Sequence, residues 1–167
     1  YRVSAINADA STALTILDTR DGQPLRFEGL PDGDIGAVRF SPDEARVAFT
    51  VASDTSPSDV FVADLADRKV RRLTTALNPA IDESHLVEAT IVRYKAEGGV
   101  EIPSVLYRPK GASAANPVPA VVLVHGGPGG QTRRGYSAMV QHLVNHGYAV
   151  LGANNRGSSG YGKTFFH

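Results

Sequence analysis

The sequence predicts a two-part chain. Short antiparallel strands run through residue 77, a linker covers 78–85, and an α/β unit with parallel strand pairing covers 86–167. Three observations support this. Charge changes sign near residue 85: positions 1–85 hold 14 acidic and 9 basic side chains, positions 86–167 hold 3 and 8. This reads either as two differently solvated surfaces or as two domains meeting with complementary fields. A weak internal repeat relates Leu17-Asp18 through Arg26-Phe27 to Ala63-Asp64 through Arg72-Leu73, with an offset of 46 residues. Finally, residues 119–153 run as apolar strand, glycine loop, amphipathic helix and apolar strand, which is a βαβ unit and so a parallel pair.

The front elements follow from alternation and turn residues. Ala13–Leu17 is apolar and β-branched, Asp21-Gly22 turns, and Pro24–Phe27 reads as a return strand. Val38–Phe40 alternates, Ser41-Pro42-Asp43 turns, and Arg46–Val51 alternates again. Val60–Ala63 follows a polar loop, and Arg72-Leu73 closes a hairpin after Asp67-Arg68. A period of roughly 40–50 residues made of four short strands is that of a β-propeller blade, and fewer than two blades are present. A generic antiparallel sheet is the simpler alternative.

In the rear, Val87–Val92 and Val100–Tyr107 read as strands joined by a turn at Glu97-Gly98-Gly99. Pro119–Val124 is nearly all apolar, the pattern of a central strand buried on both faces. A helix is expected from Tyr136 to His146, with Met139, Val140, Leu143 and Val144 on its apolar face and Gly147 as its stop. Tyr148–Ala153 is a second buried strand.

Composition excludes several classes. Zero net charge argues against a nucleic-acid partner. No apolar run approaches the roughly 18 residues that suggest a membrane span, so no membrane partner is expected. Without cysteine there is no thiolate nucleophile and no disulfide framework. That suits cytoplasm and periplasm alike, with the cytoplasm slightly favoured. The chain begins at Tyr1 and stops at Phe165-Phe166-His167 just after a glycine-rich loop, so it reads as a fragment with incomplete domains.

His125-Gly126-Gly127-Pro128 directly follows the first apolar strand of the βαβ unit. At this place in an α/β-hydrolase a backbone N–H helps hold the tetrahedral oxyanion. Glycine lets the backbone approach the substrate carbonyl. A plain chain reversal would need the same glycines. His125 is expected to fix the loop rather than act as base, because the triad order in this fold is Ser, Asp, His. The loop Arg156-Gly157-Ser158-Ser159-Gly160-Tyr161 is expected to border the site. Gly157 through Gly162-Lys163-Thr164 formally matches a phosphate-binding loop, but three residues separate it from its strand. His142 and His146 have the spacing of two metal ligands, yet Leu143 stands where a metalloprotease needs Glu, so neither metal nor cofactor is expected. No Gly-x-Ser-x-Gly occurs in the sequence.

Taken together, Val121–Pro128, Gly147–Val150 and Asn155–Gly162 resemble the prolyl oligopeptidase family of serine peptidases, on its acylaminoacyl- and dipeptidyl-peptidase-like branch. Phe40-Ser41-Pro42-Asp43 with Val47–Phe49 is similar to a blade of that family's propeller, and Leu106–Pro109 to the start of its hydrolase domain. The resemblance covers most of residues 35–165. It implies that 1–77 are the C-terminal blades of a β-propeller and that 86–167 are the N-terminal part of an α/β-hydrolase domain with a mixed sheet. It also implies that short peptides are cut by a Ser-Asp-His triad lying outside this chain. Gly127 would offer its N–H to the oxyanion, supported by His125, Gly126 and Pro128, and this chain alone would be inactive. The alternatives are an esterase or lipase with a β-rich front, a nucleotide binder using Gly157–Thr164, and a propeller-derived interaction segment without a triad.

Overall fold

The computed structural model describes residues 1–127 and 129–167. In the front, alternation of apolar and polar residues builds two antiparallel pieces. β1 (Arg2–Ala8) and β2 (Ser11–Leu17) form a hairpin, registered from Arg2↔Leu17 to Ala8↔Ser11. β3 (Asp34–Phe40), β4 (Arg46–Ala52), β5 (Asp59–Asp64) and β6 (Val70–Arg72) make a four-stranded antiparallel sheet in chain order. A four-stranded antiparallel sheet is the construction of a propeller blade. Val47, Phe49 and Val51 of β4 are buried on one face, as a period of two requires. They pack with Ile16, Phe61 and Ala63, and the Phe49 ring lies 5.8 Å from Phe27 and 6.4 Å from Phe61. Each such side chain contributes about 1.5–3 kcal/mol by leaving water.

The 46-residue repeat has a physical basis. Asp18 follows β2 and Asp64 ends β5, and each carboxylate accepts an amide two residues on, from Arg20 and Ala66, at 2.9 Å. Their carbonyls likewise accept amides four residues on, from Gly22 and Arg68, at 2.8 Å. Short polar side chains that bond their own backbone in this way start turns. The two copies then diverge. The second continues into β6, whereas the expected strand Pro24–Phe27 shrinks to one bridge, Leu17↔Pro24. Pro24 has no N–H to extend a ladder.

The rear sheet has the order β7-β8-β10-β9, from β7 (Thr90–Lys95), β8 (Glu101–Tyr107), β9 (Ala120–Val124) and β10 (Ala149–Ala153). β8 pairs antiparallel with β7 and β10, while β9 and β10 are parallel, so the sheet is mixed. The crossover from β9 to β10 carries α1 (Ala138–Asn145), whose Val140 and Val144 pack on Val105, Tyr107 and Val150. α1 starts two residues later than expected because Ser137 caps it, accepting the Val140 amide at 3.3 Å. Met139, expected on the apolar face, is exposed. The four-residue α2 (Lys163–Phe166) closes the described chain, and a short 3-10 turn, Glu83–His85, lies in the segment between front and rear.

The largest departure concerns β9. Within residues 1–167 it stands last in the strand order, and Val122 and Val124 are 58% and 69% exposed, so these residues alone do not bury it on both faces. An apolar run reports that a strand can be buried, not what lies beside it.

Front and rear meet over a charged seam. Asp9, Asp34 and Asp54 of the front pair with Arg93, Arg133 and Arg134 of the rear. Among the described residues every ion pair across the seam runs in this sense, as complementary fields require. Ala10, at the tip of the β1–β2 hairpin, is fully buried in the rear core.

Candidate active-site loops

β9 delivers the chain to His125 at its C-terminal end, beside the parallel β10. In open α/β sheets this is where ligands bind. Gly127 has φ of +127°, in the region that favours glycine, and a Cβ there would lie 3.0 Å from the Gly130 amide. At Gly130 a Cβ would meet the His125 ring at 2.8 Å, so the loop closes on itself only with glycine at this position. Pro128 lies outside the described residues.

The two sequence-predicted loops are brought together. Ser158 is fully buried and its hydroxyl donates to the Asn155 carbonyl at 2.6 Å. The His125 ring places Nε2 2.8 Å from the same oxygen and Nδ1 3.1 Å from the Gly126 carbonyl. The Ser159 amide donates to the Gly130 carbonyl at 2.9 Å. A serine bonded to a histidine suggests a nucleophile and its base, but a buried hydroxyl donating to a carbonyl is shut off from substrate. The pair acts as a clip between loops.

Further along, the Gly157 amide donates to the Phe165 carbonyl at 3.0 Å, and the Arg156 guanidinium reaches the Glu97 carbonyl. Tyr161 packs edge-on against Phe165 at 5.4 Å. The rings of His142 on α1 and His146 just past its end lie 4.0 Å apart, tilted by 35°, and His146 Nδ1 faces the His142 carbonyl. Among the described residues no group of three or more His, Asp or Glu side chains converges to hold a metal.

Several residues that sequence reasoning passed over hold these loops. Asn154, fully buried at the end of β10, accepts the Thr132 amide at 2.7 Å, and its Nδ2 donates to the Thr132 carbonyl at 3.0 Å and to Tyr161 Oη at 2.9 Å. The signal available was a polar residue closing an apolar strand.

Asp54, from the front, is buried to 1% exposure where the glycine loop's tail reaches the seam. Its carboxylate accepts from Arg134 Nε (2.9 Å) and Nη2 (2.6 Å), Tyr107 Oη (2.8 Å), and the amides of Ala89 and Gly135 (both 3.0 Å). Burial by itself would push this carboxyl's pKa up, but the donors, Arg134 first among them, outweigh it and hold it below its ordinary value. The Tyr107 hydroxyl is pushed up, first by burial and then by the Asp54 carboxylate. Gln141 completes the seam: its Nε2 donates to the carbonyls of Asp54 and Val87, and its Oε1 accepts the Val87 amide. Nothing local in the sequence marks Asp54, since all its partners lie at least 35 residues away.

A mostly-β chain with antiparallel sheets consistent with propeller blades, followed by a mixed sheet, matches a part of several peptidases. Dipeptidyl aminopeptidase BIII of Pseudoxanthomonas mexicana is 32% identical over 146 residues, covering 84% of this chain and 21% of the relative. Uncharacterized peptidase YuxL of Bacillus subtilis is 30% identical over 142 residues, covering 85% and 21%. Among solved structures, a puromycin hydrolase superposes with a TM-score of 0.75 at 26% identity, over 94% of this chain and 24% of its own. The acylaminoacyl peptidase of Pyrococcus horikoshii shares the fold with a TM-score of 0.71, at 21% identity, over 98% and 25%. No protein-family model matches the chain. The chain is similar to a segment of the prolyl oligopeptidase family, on the side of its dipeptidyl- and acylaminoacyl-peptidase-like members, and spans about a fifth of the length of the curated relatives it matches.

Proposed function

We propose that this chain supplies the glycine-loop side of the oxyanion site in a serine peptidase acting on short peptides. In this reading residues 1–77 are the C-terminal blades of a β-propeller, 78–85 are a linker, and 86–167 begin an α/β-hydrolase domain. The nucleophile, acid and base lie on polypeptide outside these residues. Gly127 N–H donates to the oxyanion as the scissile carbonyl becomes tetrahedral, together with an amide following the nucleophile. Arg156–Tyr161 borders the site and clips the glycine loop through Ser158. The observation that carries the reading is the glycine loop itself, held open at the C-terminal end of a parallel strand.

Fluorophosphonate labelling of the full-length gene product tests it. One serine, outside residues 1–167, is expected to be tagged. Gly127→Ala is expected to lower kcat by about 10²–10³-fold, because a Cβ at φ of +127° displaces the Gly127 N–H from the oxyanion, with the usual effect of losing one donor. An unlabelled product, or a Gly127→Ala variant of unchanged kcat, would refute the proposal. Comparing matched peptide and ester substrates separates a peptidase from an esterase, since the oxyanion loop serves both reactions.

A further inference from the structure

We propose that Asp54 is a positioning residue through which the front β unit sets the geometry of the glycine loop. This inference rests on the oxyanion reading above for its catalytic consequence, though not for its structural one.

One side chain gathers the interface. All five hydrogen bonds to the Asp54 carboxylate come from the rear, from Ala89, Tyr107, Arg134 and Gly135, and its carbonyl accepts a sixth from Gln141. Two of these partners, Arg134 and Gly135, belong to the tail of the glycine loop. That tail is gripped elsewhere by the front as well. The Arg134 amide donates to the Ala10 carbonyl at 2.9 Å, and Arg133 reaches Thr12 and Asp34 at 2.7 and 3.0 Å. Asn7 donates to Gln131 at 2.6 Å. Toward its other end the holds come from the rear: Asn154 at Thr132, Ser159 at Gly130, and Ser158 at His125, with Asn7 at Gln131 the front contact among them. Residues 125–127 and 129–135 therefore have a footing on each unit, and Asp54 is the charged front footing most withdrawn from water. A charge buried with a full set of donors tolerates little displacement, because any shift leaves a buried group unpaired. The seam thereby fixes where the tail sits, and the tail fixes the loop.

Asp59 provides the control. It is equally buried and opens β5, just past the loop that carries Asp54, but its partners, Arg72, Thr74 and the Ala76 amide, all lie within the front. Amide hydrogen exchange on this chain should show Asp54→Asn weakening protection at Thr132 and Ser159 by about tenfold, besides the direct partners Ala89 and Gly135. Asp59→Asn should leave those four amides unchanged. Loss confined to Ala89 and Gly135 would overturn the proposal, because Asp54 would then be a local buttress. Should Asp54→Asn unfold the chain, Arg134→Gln, a change at a partly exposed side chain, decides by the same amides.

In the full-length product, Asp54→Asn should lower kcat by about tenfold with KM nearly unchanged, as expected when a transition-state donor is displaced rather than substrate binding lost. A rise in KM alone would overturn the catalytic part. A wild-type product without hydrolytic activity would defeat the oxyanion reading, while exchange would still decide whether Asp54 sets the loop.

Discussion

Ser158 stood within a loop already marked by its glycines, but its role depends on two partners that only folding supplies. Its hydroxyl is fully buried, donates to Asn155 and lies against the His125 ring. Ser158→Ala should therefore cost about 0.5–1.5 kcal/mol, the usual net worth of a hydrogen bond, since the Ser158 amide still donates to the Asn155 carbonyl. Urea denaturation measures this. In the full-length product the same variant should keep its fluorophosphonate labelling, which a nucleophilic serine could not. Carboxylates make the second prediction at this scale. The Arg20 side chain bonds Asp18, and with the Arg20 amide it lowers the Asp18 pKa to about 2. A carboxyl depressed in the folded state stabilises fully above its unfolded value, about 3.9, and that stability is lost as pH falls through the folded value. Stability should accordingly drop between about pH 4 and pH 2, and Asp18→Asn should flatten that slope in denaturation curves collected across the range. Asp54 and Asp59, both held below their ordinary value, add to the drop in the same direction.

Among the elements, most strands could be read from alternation, and two could not be read fully. β1 was missed because its hairpin turns on Asp9-Ala10, both at positive φ, where the usual signal is Asn-Gly or Asp-Gly. Ala10 adopts that conformation while buried, with its carbonyl bonded to Arg134, so rear contacts replace the missing turn residue. β9 was found, but within this chain it stands last in the strand order with its outer face open, and apolar content does not encode a strand's rank in the sheet. The difference can be measured. Val122→Lys on β9 puts a charge at a site already open to water and should change stability by no more than about 0.5 kcal/mol. Val150→Ala, removing two methyl groups from a buried position on the adjacent β10, should cost about 2–3 kcal/mol. Thermal melts of the two variants compare them directly. Equal losses would mean that the outer face of β9 is covered in solution.

For the whole molecule, the division of charge visible in composition becomes the seam between front and rear. The sign asymmetry was legible without a structure; the pairing was not, because Asp34 and Arg133 stand 99 positions apart and Asp54 and Arg134 stand 80 apart. The pairs should differ in kind. Arg133–Asp34 is about a third exposed on both sides, so water and ions screen it, and a double-mutant cycle should give about 0.5–1 kcal/mol. Arg134–Asp54 joins a partly exposed guanidinium to a carboxylate withdrawn from water, so its coupling should be larger. Salt separates them further. Between 0.05 and 0.5 M NaCl the Debye length falls from roughly 14 to 4 Å, and the exposed pair should lose most of its coupling while the buried one keeps most of its own. Cycles run by urea denaturation at both salt concentrations provide the measurement. If both couplings vanish together at high salt, the seam is held by diffuse attraction between oppositely charged surfaces. If the Asp54 coupling persists, a desolvated anchor fixes the register of the two units, and the surrounding charges mainly steer them into it.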